Sequence, residues 1–233
     1  MEKKISPLFI CIESSSTNCS VGIIQENVLI DSIEINDGYS HSEKLAVFVD
    51  QILKRNQLSF RDFNAVVIGR GPGSYTGLRI GTALAKGISF ASKLPLIALD
   101  TLKIMSAQVL SSTTIKENAL LLPMLDARRM EVYVAVYDQK LENIKPCWAE
   151  VLEKSSFEEF KSQHRYIFGP GSDKYFSAYP NDNITFIDHV IPSVKGMLDL
   201  VLEKYLANDF ENTAYFEPFY LKNFIAGKPK PIF

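Results

Sequence analysis

Gly69 to Gly87 reads GRGPGSYTGLRIGTALAKG, and its reading decides the fold. An apolar run, Ala65 to Ile68, precedes it and predicts a buried strand. A helical pattern follows. Three glycines and a proline between Gly69 and Gly73 join the two. Glycine tolerates backbone conformations closed to other residues and lets another chain approach the main chain closely. Ser74 or Thr76 is placed to cap the helix. Gly77, Gly81, Ala85 and Ser89 then recur every four residues on one helix face. Glycine inside a helix costs about 1 kcal/mol relative to alanine, so two on one stripe predict a close neighbour.

Three readings compete for this turn. A glycine-rich loop at a helix N-terminus suits an anion, but no Lys-Ser or Lys-Thr follows the last glycine and the dinucleotide fingerprint is not matched. A nucleophile elbow on Ser74 needs glycines two before and two after it; Pro72 and Thr76 stand there. The third reading, a tight strand-to-helix turn with a helix built for close packing, is favoured on residue chemistry.

The stretch resembles the signature of the bacterial TsaB (YeaZ) family, non-catalytic partners in making threonylcarbamoyladenosine on tRNA, long filed with glycoprotease-like proteins. His41-Ser42-Glu43, Asp126-Ala127-Arg128-Arg129 with Glu131-Val132-Tyr133, and Pro218-Phe219-Tyr220-Leu221-Lys222 resemble further family motifs. The resemblance is strongest over residues 9–90 and 124–137. It implies the two-lobed α/β actin-like ATPase (ribonuclease H-like) fold, with a mixed sheet and helices in each lobe. It implies a scaffold that binds and completes the TsaD catalytic subunit, with the TsaE ATPase and tRNA as further partners. A homodimer through the same surface when alone, and ATP or ADP with Mg²⁺ in the assembled complex, belong to the same implication. A docking surface on the two N-terminal-lobe helices would use Gly77, Gly81, Ala85, Tyr75, Arg79, His41 and Leu45.

The whole chain fits an ordinary globular protein. It has 233 residues, 46% hydrophobic and 22% charged, enough for two lobes with real cores. A net charge of -2 gives the isolated chain no electrostatic reason to grip nucleic acid. Cys11, Cys19 and Cys147 form no CxxC pair, which favours a reduced, cytoplasmic setting. The apolar run Leu8 to Ile12 is too short for a signal-peptide core or a membrane span.

Leu8 to Glu13, Val21 to Ile24 and Val28 to Ile35 predict three strands. Between the first two lies Ser14 to Ser20, a polar turn. Glu13 and Ser14, with Asp126 of the later turn, could serve Mg²⁺ and nucleotide phosphate; a plain hydrogen-bonded turn is the commoner outcome. The superfamily has Asp then Gly here, and Glu13-Ser14-Ser15-Ser16 departs from it.

Tyr39 to Arg55 predicts an amphipathic helix with Leu45, Phe48, Val49 and Ile52 on one face and a capping box of Ser40 and Glu43. Pro95 to Ala98 predicts a strand, and Asp100-Thr101 the cap of a helix to about Leu110. A boundary near Ser111 divides an N-terminal lobe, 1–110, from a C-terminal lobe, 111–233. Leu120 to Leu125 and Val132 to Tyr137 echo the first hairpin. Ser155 and Glu158 make a second capping box, Tyr166 to Phe168 a short strand before Gly169-Pro170-Gly171, and Val194 to Leu206 a helix. In the superfamily a glycine pair at the last turn can sit against adenosine; a plain turn is favoured here, because Pro170 stands between the glycines. Ala226 to Phe233 reads as a flexible tail.

His41, His164 and His189 stand too far apart to make a helix-borne metal site. Two other classes stay open. A hydrolase would use Ser74 as nucleophile with His164 or His189 as base. A kinase would hold Mg²⁺ on Glu13 and Asp126.

Overall fold

The computed structural model describes residues 6–36 and 41–222, the side chains of 41–43 excepted. His41 as a contact residue, the Ser40–Glu43 capping box and the tail from Ala226 lie outside the described residues. Among the described residues ten strands form two sheets. The first contains β1 (Leu8–Glu13), β2 (Asn18–Gln25), β3 (Val28–Asn36), β4 (Ala65–Gly71) and β5 (Leu96–Asp100) in the order β3-β2-β1-β4-β5. The second contains β6 (Leu120–Asp126), β7 (Glu131–Tyr137), β8 (Asn143–Val151), β9 (Arg165–Phe168) and β10 (Ile184–Ile187) in the order β10-β9-β6-β7-β8. Read from its third strand, the second sheet repeats the order of the first. Each opens with an antiparallel meander and then adds two parallel strands. This is the two-lobed actin-like arrangement, with a mixed sheet in each lobe.

Period-two alternation explains how the first sheet is covered on both sides. Ile10, Ile12, Val66 and Ile68 point to one face, where α1 (His41–Asn56) supplies Leu45, Val49 and Ile52 and α2 (Tyr75–Ser92) supplies Ala85 and Ile88. Phe9, Cys11, Ala65 and Val67 point to the other. There they meet Ile104 of α3 (Thr101–Ser112) and Leu200 and Val201 of α5 (Leu198–Leu206). Each fully buried Val, Leu, Ile or Phe among them contributes about 1.5–3 kcal/mol. The opposite flank of α3 carries Leu102, Met105 and Val109 into a core with Leu121, Tyr137 and Phe168 of the second sheet. The far face of that sheet packs on Phe157 and on Tyr175 of α4 (Ser172–Ala178). No helix among the described residues is long and apolar enough to cross a membrane.

Several elements depart from the sequence expectation. The expected Ser155–Glu158 capping box does not form: the short 3-10 turn Glu158–Phe160 starts at Phe157, with no side-chain cap. Phe157 adopts a left-handed backbone, φ 66°, and its carbonyl accepts from Arg165. Ser156 turns to Glu150. The helix expected from Val194 begins at Leu198, after a 3-10 turn at Val194–Gly196. Gly196 there lies against the Ile104 carbonyl, with no room for a Cβ. Asp100 stands at the N-cap of α3 without capping it. Its carboxylate takes the Arg70 Nε–H instead, at 2.8 Å. Helix α5 packs on the first sheet, and Glu211 bridges to Leu96 of β5.

Candidate functional site

The turn after β1 and the glycine-rich turn after β4 interlock. They meet because β1 and β4 are parallel neighbours, Cys11 opposite Val67 and Ile12 opposite Ile68. Glu13, Ser14 and Ser15 are all buried, with 0–1% of their surface exposed. The Ser74 N–H donates to the Ser15 carbonyl at 2.6 Å. The Ser14 hydroxyl donates to the Gly77 carbonyl at 2.9 Å. A Cβ at Gly69 would overlap the Glu13 carboxylate, one at Gly73 or Gly77 the carbonyl of Ser15 or Ser14, and one at Gly81 the Ser14 hydroxyl. The glycines are therefore spent on admitting the chain's own first turn.

Glu13 Oε1 accepts the Ser15 N–H at 2.7 Å. Its Oε2 is buried with no hydrogen-bond partner among the described residues. Burial raises this carboxyl above the ordinary carboxylate range, against the hydrogen bonds from Ser15 and Ser14. The Ser15 and Ser14 carbonyls lie against Gly73 and Gly77, and the Ser74 N–H at the helix start is already used.

Asp126 is exposed at the corresponding turn of the second sheet. It accepts from the Arg128 N–H at 2.6 Å and pairs with Lys174 at 2.7 Å. Arg128 and Arg129 both sit in left-handed conformations, φ 76° and 47°. Glu13 is thus buried inside the first lobe while Asp126 is tied to α4. Among the described residues no group of three or more His, Cys, Asp and Glu could hold a metal ion.

Ser74 is exposed, and its hydroxyl accepts the Gly77 N–H at 3.4 Å, capping α2. The His164 ring bonds to Asn183 at 3.3 Å and Thr185 at 2.8 Å beside the second sheet. His189 is largely exposed and pairs with Asp188. A cleft of about 280 Å³ lies between the lobes. Thr17 and Asn36 line one side; Gly169, Pro170, Asp173 and Phe186 line the other. Gly169 and Gly171 have φ of +100° and +114°, and they turn the chain from β9 into α4.

The expected docking residues divide. Gly77, Gly81, Ala85 and Leu45 are buried in their own lobe, so the small-residue stripe offers no open groove. The neighbour that the stripe calls for is Ser14, with Ile68 beneath it. Tyr75 is half-buried and Arg79 exposed, the guanidinium 5.4 Å from the Tyr75 ring centre. The outer side of α2 also exposes Ala83, Gly87 and Phe90, the last 83% exposed; α1 exposes Val47. Sequence reasoning missed Phe90 because it read the helix by its glycines. The signal was there: a phenylalanine three residues beyond Gly87 and off the buried stripe.

Residues 37–186 match the family model described as "TsaD: tRNA N6-adenosine threonylcarbamoyltransferase". The chain is 27% identical to the tRNA threonylcarbamoyladenosine biosynthesis protein TsaB of Haemophilus influenzae, over 95% of this chain and 96% of that one. It is also 27% identical to the Escherichia coli protein of the same name, over 95% and 97%. Among solved structures it is similar to YeaZ from Pseudomonas aeruginosa, with a TM-score of 0.75 and 22% identity over 92% of this chain and all of that one. A second Pseudomonas aeruginosa structure, titled as similar to peptidase YEAZ, gives 0.78 and 22%, over 93% of this chain and all of that one.

Proposed function

We propose that this chain, which belongs to the family described by the TsaD model and within it to the TsaB (YeaZ) proteins, acts in threonylcarbamoyladenosine biosynthesis as a non-catalytic subunit. It docks on a TsaD-type catalytic subunit in the cytoplasm and completes it. A TsaE-type ATPase, ATP or ADP with Mg²⁺, and tRNA enter through that assembly. One observation carries the non-catalytic reading: the glycine-lined turn is filled by Glu13, Ser14 and Ser15 of the same chain. A turn so occupied keeps α2 rigid and leaves its outer side for another protein. That side combines an exposed aromatic, Phe90, with an exposed arginine, Arg79. Both residue types are enriched at protein–protein interfaces.

The test is reconstitution with a purified TsaD-type subunit, a TsaE-type ATPase and a tRNA transcript. The wild-type chain restores modification, whereas Phe90→Asp and Arg79→Glu fail to associate while melting like wild type. The isolated chain turns over no peptide, phosphate ester or ATP. Turnover by the chain alone that disappears in a folded Ser74→Ala variant defeats this reading in favour of the hydrolase.

A further inference from the structure

After α5 the chain runs back along the first lobe and is fixed there. The Glu211 N–H donates to the Leu96 carbonyl at 2.8 Å. The hydroxyls of Thr213 and Ser89 lie 2.9 Å apart. Lys86 Nζ donates to the carbonyls of Ala214 and Phe216 at 3.2 and 2.9 Å. The Phe216 side chain is buried in the core under α2.

Beyond Phe216 the grip changes. Residues 217–222 are half-buried or exposed. Among the described residues, contacts at three places hold them. The Phe219 N–H donates to the Arg70 carbonyl at 2.8 Å. The Tyr220 ring lies 4.9 Å from the ring of Tyr75. Lys222 pairs with Glu131 of β7. The segment therefore crosses the glycine-rich turn from the first lobe to the second. It runs close enough that a Cβ on Gly71 would stand 2.9 Å from the Phe219 carbonyl. It also covers Tyr75, on whose ring Arg79 rests.

We infer that residues 217–222 are a releasable strap, hinged at Phe216, which occupies part of the α2 docking site in cis and competes with the incoming catalytic subunit. The inference rests on the docking reading above. Two features carry it. The anchoring is lopsided among the described residues: a buried phenylalanine on one side of the hinge, and on the other a backbone hydrogen bond, a ring contact and an ion pair with solvent access. Exposed ion pairs contribute little. The strap also shields Tyr75, at the turn where α2 begins. A site closed part of the time by its own chain has its apparent affinity reduced by the open fraction.

The experiment uses the full chain in three forms: wild type, the double variant Tyr220→Ala/Lys222→Glu, and Lys222→Arg, which keeps the ion pair. Hydrogen exchange at the Phe219 amide reads the strap, thermal melting reads the fold, and calorimetry with a TsaD-type subunit reads docking. The double variant is expected to exchange at Phe219 about tenfold faster, to melt within a few degrees of wild type, and to bind the subunit several-fold more tightly. Lys222→Arg stays at wild-type values. A Phe219 amide that remains as slow as those of β4 in the double variant overturns the release. Equal or weaker binding with Phe219 opened overturns the competition. No binding by any form, wild type included, defeats the docking reading itself and the competition with it.

Discussion

The Glu13 carboxylate lies where a side chain at position 69 would begin: a Cβ on Gly69 would overlap Oε2 and stand 3.1 Å from Oε1. A buried carboxyl and a glycine on neighbouring parallel strands thus share one space. Gly69→Ala should overpack it and destabilise the chain by about 1–3 kcal/mol. Removing the carboxyl restores the room, so Gly69→Ala should cost much less in a Glu13→Ala background. Denaturant titration of the two single variants and the double closes the cycle. Simple additivity would show that the two positions do not share the space.

The same carboxyl sets a pH dependence. Its folded-state pKa is raised by burial. Its contribution is therefore fully present below the unfolded-state value, in the ordinary carboxylate range, and is lost as pH rises through the folded value. Wild type should lose stability across that window relative to Glu13→Gln, which keeps the shape and cannot ionise. Parallel melting curves against pH for the two proteins would exclude this.

Two glycines of α2 should respond in opposite ways. Gly81 meets Ser14 and, at 3.2 Å, Ile68. Gly81→Leu should lower the thermal midpoint and the soluble yield, with an overpacking cost of about 1–3 kcal/mol. A Cβ at Gly87 meets nothing within 4 Å, so Gly87→Ala should gain up to about 1 kcal/mol from helix propensity. A Gly81→Leu chain that melts normally would mean that the stripe is open after all.

Ser74 should behave as a cap and not as a nucleophile. Ser74→Ala is expected to cost about 0.5–1 kcal/mol, the lower part of the N-cap range, because its bond to Gly77 is long. A serine-reactive phosphonate should leave Ser74 unlabelled. Stoichiometric labelling there would reverse the assignment.

Much of the first lobe was legible because its signals are local. Short apolar runs mark β1 and β4, β-branched residues mark β2 and β3, and Leu45, Val49 and Ile52 mark the inner face of α1. The second lobe was harder to read. β8 and β10 escaped notice because Asn143–Val151 carries Lys145, Pro146 and Glu150 on an edge strand, and Ile184–Ile187 is four residues long. Long-range packing also hid part of the site. The spacing of Gly77 and Gly81 announces a close neighbour without naming it. Only the pairing of β1 with β4 brings Ser14 there. Asp100 reads as a cap in sequence, and Arg70, 30 positions away, claims it instead.

Helix α3 works as a rivet. Ile104 is sunk in the core beneath the first sheet while Leu102, Met105 and Val109 are sunk in the core beneath the second. A rivet through two plates ties their failure together. Prising the sheets apart would strip apolar surface from both cores at once, so neither sheet has a melting point of its own. Calorimetry should accordingly record one heat-absorption peak for the chain, with the calorimetric and van't Hoff enthalpies in agreement.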